Sequence, residues 1–221
     1  MVQSVVRLKT GWDDTLHQYK DVLDKWDDWL QELELCKDVI ITRSILPTEI
    51  NDGNSWKCEV VGCSDGNSLG YGCALYLRWC NEDASKVELK FLCAKSKVGP
   101  IGGNTVPRNE LCGVLILSRL CWSSSKAFEK TEVFEYFYGK HNARLFTDST
   151  IVMKWISSPA VNYKPYVKNK VIEIQSLVAA SSWNYIPSQK NKAANHACCY
   201  NVYIQVHEFS SKSKFCLILS N

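Results

Sequence analysis

The sequence predicts an α/β domain whose strands and helices follow one another as β-β-β-α-β-α-α-β, preceded by an amphipathic helical segment. Three observations predict it. Three consecutive stretches between Cys58 and Cys93 have strand character; a helical pattern with one apolar face follows Thr105; and short strands alternate with helices from Ala143 to Ile186.

The helical segment comes first. From Leu16, the apolar residues Tyr19, Leu23, Trp26, Leu30 and Leu33 recur at helical spacing with Asp and Lys between them, which predicts an amphipathic helix packed on a neighbouring domain. The stretch Pro47 to Trp56 (PTEINDGNSW) is rich in turn formers and has no periodicity, so it reads as a linker with a boundary near Asn51. Residues 1–50 are therefore expected to form a linker region, 51–199 the domain, and 200–221 a tail without a motif.

Cys58 to Cys63, Gly72 to Trp79 and Val87 to Cys93 then read as strands of an antiparallel meander, broken at Gly66, Gly70 and Asn81 to Ser85. Thr105 suits a helix cap and Pro107 a first turn, with Leu111, Val114, Leu115 and Ser118 along one face; Glu110 is expected in that first turn. Ala143 to Phe146 reads as a short strand ending at Thr147-Asp148-Ser149, followed by a helix through Ile151, Val152 and Trp155. A second helix carries Val167, Val171, Ile174 and Val178 on one side and Lys164, Lys168 and Lys170 towards the other, and Trp183 to Ile186 supplies the last strand.

Composition narrows the class. With 46% hydrophobic and 22% charged residues over 221 positions, the chain has enough apolar material for a substantial core. A net charge of +3 is too mild to imply a nucleic-acid partner, because phosphate binding depends on clustered charge. The clustering is uneven: nine acidic residues face three basic ones between Asp13 and Asp38, whereas Lys154, Lys164, Lys168, Lys170, Lys190 and Lys192 crowd a later stretch. Eleven cysteines without a regular framework, and no apolar signal core after Met1, read as reduced thiols of an intracellular protein. The longest apolar runs, such as Val114 to Leu117 and Phe215 to Leu219, fall far short of the roughly 20 residues that span a bilayer, so no membrane partner is expected.

The chemistry lies in three carboxylates at element ends: Asp65, Glu110 and Asp148. Taken singly, each also fits a turn or a helix cap. Gathered together, close-set carboxylates repel one another unless a cation neutralises them, and oxygen-only ligands favour Mg²⁺ or Mn²⁺. Two such ions about 3.5–4 Å apart activate water and stabilise a leaving oxygen in phosphodiester hydrolysis.

The order of an Asp on the first strand, a Glu on the first helix and an Asp on the fourth strand resembles the ribonuclease H arrangement. The local words are more specific. "SDGNSLGYGCALYLRW", "CAKSKVGPIGGNTVPRNELCGVLILSRL", "LFTDSTIVMKWISSP" and "YVKNKVIEIQSL" resemble the successive motif segments of Bel/Pao-type retrotransposon polyproteins, from about Cys58 to Lys192. Gly11-Trp12-Asp13-Asp14, then Trp26, Trp29, Leu33 and Leu35, look like that family's linker between reverse transcriptase and ribonuclease H. The resemblance implies a ribonuclease H-like mixed five-stranded sheet with flanking helices and metal-dependent hydrolysis of the RNA strand of an RNA–DNA hybrid. It also implies Asp65, Glu110 and Asp148 as catalytic and metal ligands, and a reverse-transcriptase domain of the parent polyprotein as partner.

One departure stands out. Where the family has a fourth acid in a phrase like Asn-Pro-Ala-Asp, this chain reads Asn191-Lys192-Ala193-Ala194-Asn195-His196-Ala197-Cys198-Cys199. The missing Asp falls at Ala194 or Asn195, and Asn195 is the better match because "NHACC" stands where "DHASR" is expected. An Asn keeps a neutral carbonyl ligand and loses the charge, so weaker metal binding is expected, and a catalytically inactive remnant with a nucleic-acid-binding fold is the competing function.

Lesser candidates follow. Lys164, Lys168 and Lys170 are the expected phosphate contacts, with Trp155, Tyr163 and Tyr166 interleaved as core or backbone-facing aromatics. His141 could ferry protons in the loop before Asp148. His196, Cys198 and Cys199 make a poor zinc site, since adjacent cysteines suit one tetrahedral ion badly. An aspartic protease is excluded, because Asp148-Ser149-Thr150 lacks the following Gly and Asp65-Gly66 lacks the hydroxyl residue.

Overall fold

The computed structural model describes residues 2–9, 11, 13–34, 37, 44–50, 55–102, 104–136 and 143–191. Its elements are α1 (Val2–Arg7), α2 (Lys20–Glu34), β1 (Trp56–Gly66), β2 (Gly70–Asn81), β3 (Val87–Val98), α3 (Val106–Phe128), β4 (Ala143–Thr147), α4 (Thr150–Ile156), α5 (Pro165–Leu177) and β5 (Trp183–Tyr185), with short 3₁₀ turns between the later ones. The expected order of strands and helices is present. The expected tail from Tyr200 lies outside the described residues.

The five strands form one mixed sheet in the order β3-β2-β1-β4-β5. β1, β2 and β3 pair antiparallel, as tight turns between them allow. Asn67 makes the first turn by accepting the Leu69 and Gly70 amides on its side-chain oxygen, at 2.8 and 3.1 Å. β4 returns after α3 to lie parallel to β1, and β5 parallel to β4, each reached through helices that cover the sheet. A bulge shifts the β2–β3 register between Leu75 and Tyr76.

Period-two alternation on β1 divides the two faces. Trp56, Cys58 and Val60 join Leu75, Leu77 and Trp79 of β2 in the main core, under Leu111, Val114 and Leu117 of α3 and Val171 and Ile174 of α5. Leu75, Leu77, Trp79, Leu111 and Leu117 are wholly inaccessible, each aliphatic one worth about 1.5–3 kcal/mol of burial. The opposite face of β1 carries Val61 and Cys63 in a smaller cluster with Phe146 and Ile186. On that same face Glu59 accepts from Arg78 of β2 at 3.0 Å and from two nitrogens of Arg144 of β4 at 2.8 and 3.0 Å, tying three strands together.

Two features concern the amino-terminal region. Val22 is the buried residue of α2, while Trp26, Leu30 and Leu33 of its apolar stripe are 43–44% exposed among the described residues. Stretch 44–50, on the linker side of the boundary near Asn51, contacts the core. Its carbonyls at Ile45 and Glu49 accept the indole N–H groups of Trp79 (2.7 Å) and Trp56 (3.2 Å), and Ile45, Leu46 and Ile50 pack on the main cluster. Turn-forming residues there describe an irregular backbone, and that backbone is adherent. Among the described residues, no helix is long and apolar enough to cross a membrane, and seven cysteines are free thiols.

Candidate active site

The register of β1 with β4 places the first and third acids side by side. Ser64 pairs with Thr147 across the parallel ladder, so Asp65 and Asp148 each lie one residue further on, at the same carboxyl-terminal edge. Neighbouring strands run about 4.8 Å apart, which makes their backbones immediate neighbours.

Glycines bring the second acid in. β1 meets the start of α3 so closely that a Cβ at Gly66 would lie 2.5 Å from the Asn109 carbonyl carbon, and one at Gly113 would lie 2.7 Å from the Asp65 carbonyl oxygen. Only bare backbone fits there. Glu110 does not stand in the first turn of α3, as the sequence suggested. The helix begins at Val106, capped by Thr105 without a side-chain bond, so Glu110 lies one turn further in, against the end of β1.

Asp148 is not the cap of α4 either. Ser149 takes that role, its hydroxyl accepting the Val152 amide at 3.2 Å while donating to Glu110 at 2.7 Å. Asp148 is thereby left free of cap duty, and its Oδ1 is buried with no hydrogen-bond partner.

The three carboxylates sense one another. Burial and then the charge of Asp148 push the Asp65 carboxyl up to about 6, opposed by the bond from the Gly66 amide and helped least by the charge of Glu110. Burial and then Asp148 also raise Glu110, partly offset by the Ser149 hydroxyl. The elevation of Asp65 and Glu110 marks a site short of positive charge.

The donors fit a hard divalent cation in chemistry: carboxylate oxygens only, one of them orphaned in a buried position. Among the described residues no three His, Cys, Asp or Glu side chains already converge as a metal-holding group, and Glu110 is engaged with Ser149.

Asparagines brace this corner. Asn109, 1% exposed, donates to the Asn67 carbonyl at 2.6 Å and accepts from Asn104 at 2.9 Å, joining the start of α3 to the turn after Asp65. Asn191, equally buried, donates to the Ser64 carbonyl at 3.1 Å and so pins the end of the described chain beside Asp65. Sequence reading missed Ser149, Asn109 and Asn191. Asn67 and Asn109 sit beside Asp65 and Glu110 in the quoted words "SDGN" and "PRNE", the signal that was there to be used.

Of the other candidates, Lys164 is exposed at the start of α5, and Lys168 and Lys170 lie half-buried along it. Trp155 and Tyr163 pack edge to face with centroids 6.4 Å apart. His141, Lys192, Ala194, Asn195, His196, Cys198 and Cys199 lie outside the described residues.

Among solved structures, the chain is similar to the N-terminal RNase H domain of a Mycobacterium tuberculosis protein, at 19% identity, TM-score 0.37, over 64% of this chain and 96% of that one. It is similar to RNase H1 of the archaeon Halobacterium salinarum at 13% identity and TM-score 0.35, over 63% and 92%. LC11-RNase H1, in complex with RNA/DNA hybrid, aligns at 16% identity and TM-score 0.35, over 63% and 91%. Likenesses at these scores carry no weight for function. No curated protein matches. The model of one family, described as a Pao retrotransposon-like RNaseH-like domain, matches residues 1–149, a stretch that includes α2, the whole meander, α3 and all three carboxylates. The chain belongs to that family.

Proposed function

We propose that this chain is a metal-dependent endonuclease that hydrolyses the RNA strand of an RNA–DNA hybrid, with Asp65, Glu110 and Asp148 as its metal ligands. The observation that carries the reading is the position of Asp65 and Asp148, each one residue beyond the Ser64–Thr147 pair of two parallel strands, with Asp148 Oδ1 buried and unbonded. Bound among these oxygens, Mg²⁺ or Mn²⁺ supplies Lewis-acid activation of water and stabilisation of the leaving oxygen.

The chain's own residues do the rest. Asp65 and Asp148 offer adjacent charges from rigid strand ends, and Gly66 and Gly113 keep α3 close enough for Glu110 to join them. Ser149 orients the Glu110 carboxylate through its hydroxyl. Lys164, Lys168 and Lys170 meet phosphates of the hybrid, whose strands are told apart by the 2′-hydroxyl and by helix shape. The parent polyprotein's reverse transcriptase is the partner this reading assigns to the amino-terminal region, inside the cell.

A second reading is favoured by one feature of the sequence: Asn195, or Ala194, stands where the family's fourth acid is expected, which suits an inactive remnant that keeps nucleic-acid affinity. Incubating the purified chain with a labelled RNA–DNA hybrid and Mg²⁺ or Mn²⁺, beside Asp148→Asn, separates the two. Cleavage that needs metal and disappears in the variant supports the nuclease; cleavage no greater than the variant's sinks it. Asn195→Asp should raise the rate, and no rise would discard Asn195 as the fourth position.

A further inference from the structure

The apolar stripe of α2 has the spacing of a two-helix seam. Tyr19, Leu23, Trp26, Leu30 and Leu33 follow one another by steps of four, three, four and three residues, the alternation that keeps a narrow line on one side of a helix. Tyr19 closes the start of the helix, its carbonyl accepting the Val22 and Leu23 amides at 3.0 and 3.2 Å. Of the four residues within it, Leu23 is half-buried, whereas Trp26, Leu30 and Leu33 stand exposed.

The two flanks of this line differ. One carries Val22, which is buried, and Trp29, whose ring centroid lies 5.1 Å from that of Trp26. The other carries Lys20, Asp27 and Glu34, seven residues apart and all exposed. Glu34 already meets Lys37, but both side chains of that ion pair are 65–66% exposed, and such pairs hold weakly.

We infer that α2 is a self-association surface, on which the α2 helices of two copies of this chain pack antiparallel about a two-fold axis. Such a contact requires the surface to complement itself, and the charged flank does so in one direction only. Antiparallel packing sets each flank against its own counterpart, so Lys20 meets Glu34 of the partner subunit, twice over by symmetry. Parallel packing sets the charged flank against Val22 and Trp29 and leaves its charges without opposites. Asp27 falls at the axis, where it faces the partner's Asp27, and that repulsion loosens the pair.

The surface is small. Its 15 helical residues extend about 22 Å, and two such helices bury less than the roughly 1,200 Å² at which standard interfaces begin. The dimer is therefore weak, with a Kd on the order of 10 μM. The inference does not draw on the nuclease reading.

The test is sedimentation velocity of the full chain, without nucleic acid or metal, from about 1 to 200 μM. The wild type should pass from the 25.1 kDa monomer to twice that mass. Leu30→Glu puts a charge into the seam and should weaken association by about tenfold or more. Lys20→Glu and Glu34→Lys should each weaken it several-fold, whereas their equimolar mixture, in which every such flank pair has opposite charges, should associate as tightly as the wild type. Asp27→Asn should tighten it. Ile172→Glu, at an exposed apolar residue of α5, is the control and should change nothing. Thermal unfolding of each variant at low concentration checks that the fold is intact.

A chain that stays monomeric throughout leaves the stripe to the polymerase domain assigned above and overturns the inference. A dimer that survives Leu30→Glu has its interface elsewhere, which also overturns it. A dimer lost in Leu30→Glu, with a charge-swap mixture no tighter than either variant alone, overturns the antiparallel arrangement. No cleavage is read, so each of these results leaves the nuclease proposal as it stood.

Discussion

Replacing Asp65 by Asn should stabilise the protein near pH 7.5 and leave it unchanged near pH 4. The Asp65 carboxyl is raised from its ordinary 3.8 to about 6, first by burial and then by the charge of Asp148. Between those values the folded chain holds a proton that the unfolded chain has released. The contribution to stability is therefore fully present below about pH 4 and is lost as pH rises through 6. At 1.36 kcal/mol per pH unit the gap corresponds to about 3 kcal/mol, which screening by solvent at this partly open edge reduces to about 1–2 kcal/mol.

The amide keeps the shape and removes the charge. Thermal unfolding of a chain this size moves by about 2–4 °C per kcal/mol, so Asp65→Asn should melt about 2–8 °C above wild type near pH 7.5. Mg²⁺ or Mn²⁺ should raise the wild-type midpoint at that pH and raise the variant's less, because a ligand that binds only the folded state stabilises it more the more tightly it binds, by RT ln(1 + [L]/Kd). A variant no more stable than wild type near pH 7.5, or equally stabilised near pH 4, refutes the reasoning that crowded carboxylates strain this edge.

Two further substitutions probe how the edge is built. Gly66→Ala forces a methyl group into the backbone of Asn109 and Glu110, and should cost about 2–3 kcal/mol in urea unfolding while lowering any response to divalent metal. Glu59→Ala strips the shared partner from Arg78, whose side chain is 9% exposed, and from Arg144, and should cost about 3–5 kcal/mol, read as a lower urea midpoint without change in metal response.

How much of this was legible in the sequence depended on whether the information was local. The meander announced itself because Gly66, Gly70 and the Asn81 to Ser85 turn punctuate alternating segments. Asp148 was placed at a strand end because Thr147-Asp148-Ser149 follows an apolar run. Which of two good caps would cap α4 was not legible: Asp148 and Ser149 both suit the position, and the choice of Ser149 goes with the backbone path by which β4 sets Asp148 level with Asp65. Glu110 was read one turn too early, although Val106 and Pro107 already make it the fifth residue of α3.

Contacts between distant segments were beyond reach. The Arg78–Glu59–Arg144 tie depends on the parallel pairing of β4 with β1, and the Tyr166 ring of α5 meets Arg108 of α3, more than fifty residues away. For α2, periodicity reported an apolar stripe, and periodicity alone does not report what covers it; Trp26, Leu30 and Leu33 remain exposed.

The site thus divides its work between fixed and adjustable parts. Asp65 and Asp148 extend from paired strands and have little freedom to separate, so their repulsion is a standing property of the fold. Glu110 sits on a helix pressed to β1 by glycines, and its carboxylate is satisfied by a single neutral hydroxyl from Ser149. A neutral hydrogen bond contributes about 0.5–1.5 kcal/mol, well below what a divalent cation offers a carboxylate. On the proposed metal-binding reading, Glu110 is therefore the acid that would exchange its partner for a cation, beside the buried, unbonded Oδ1 of Asp148.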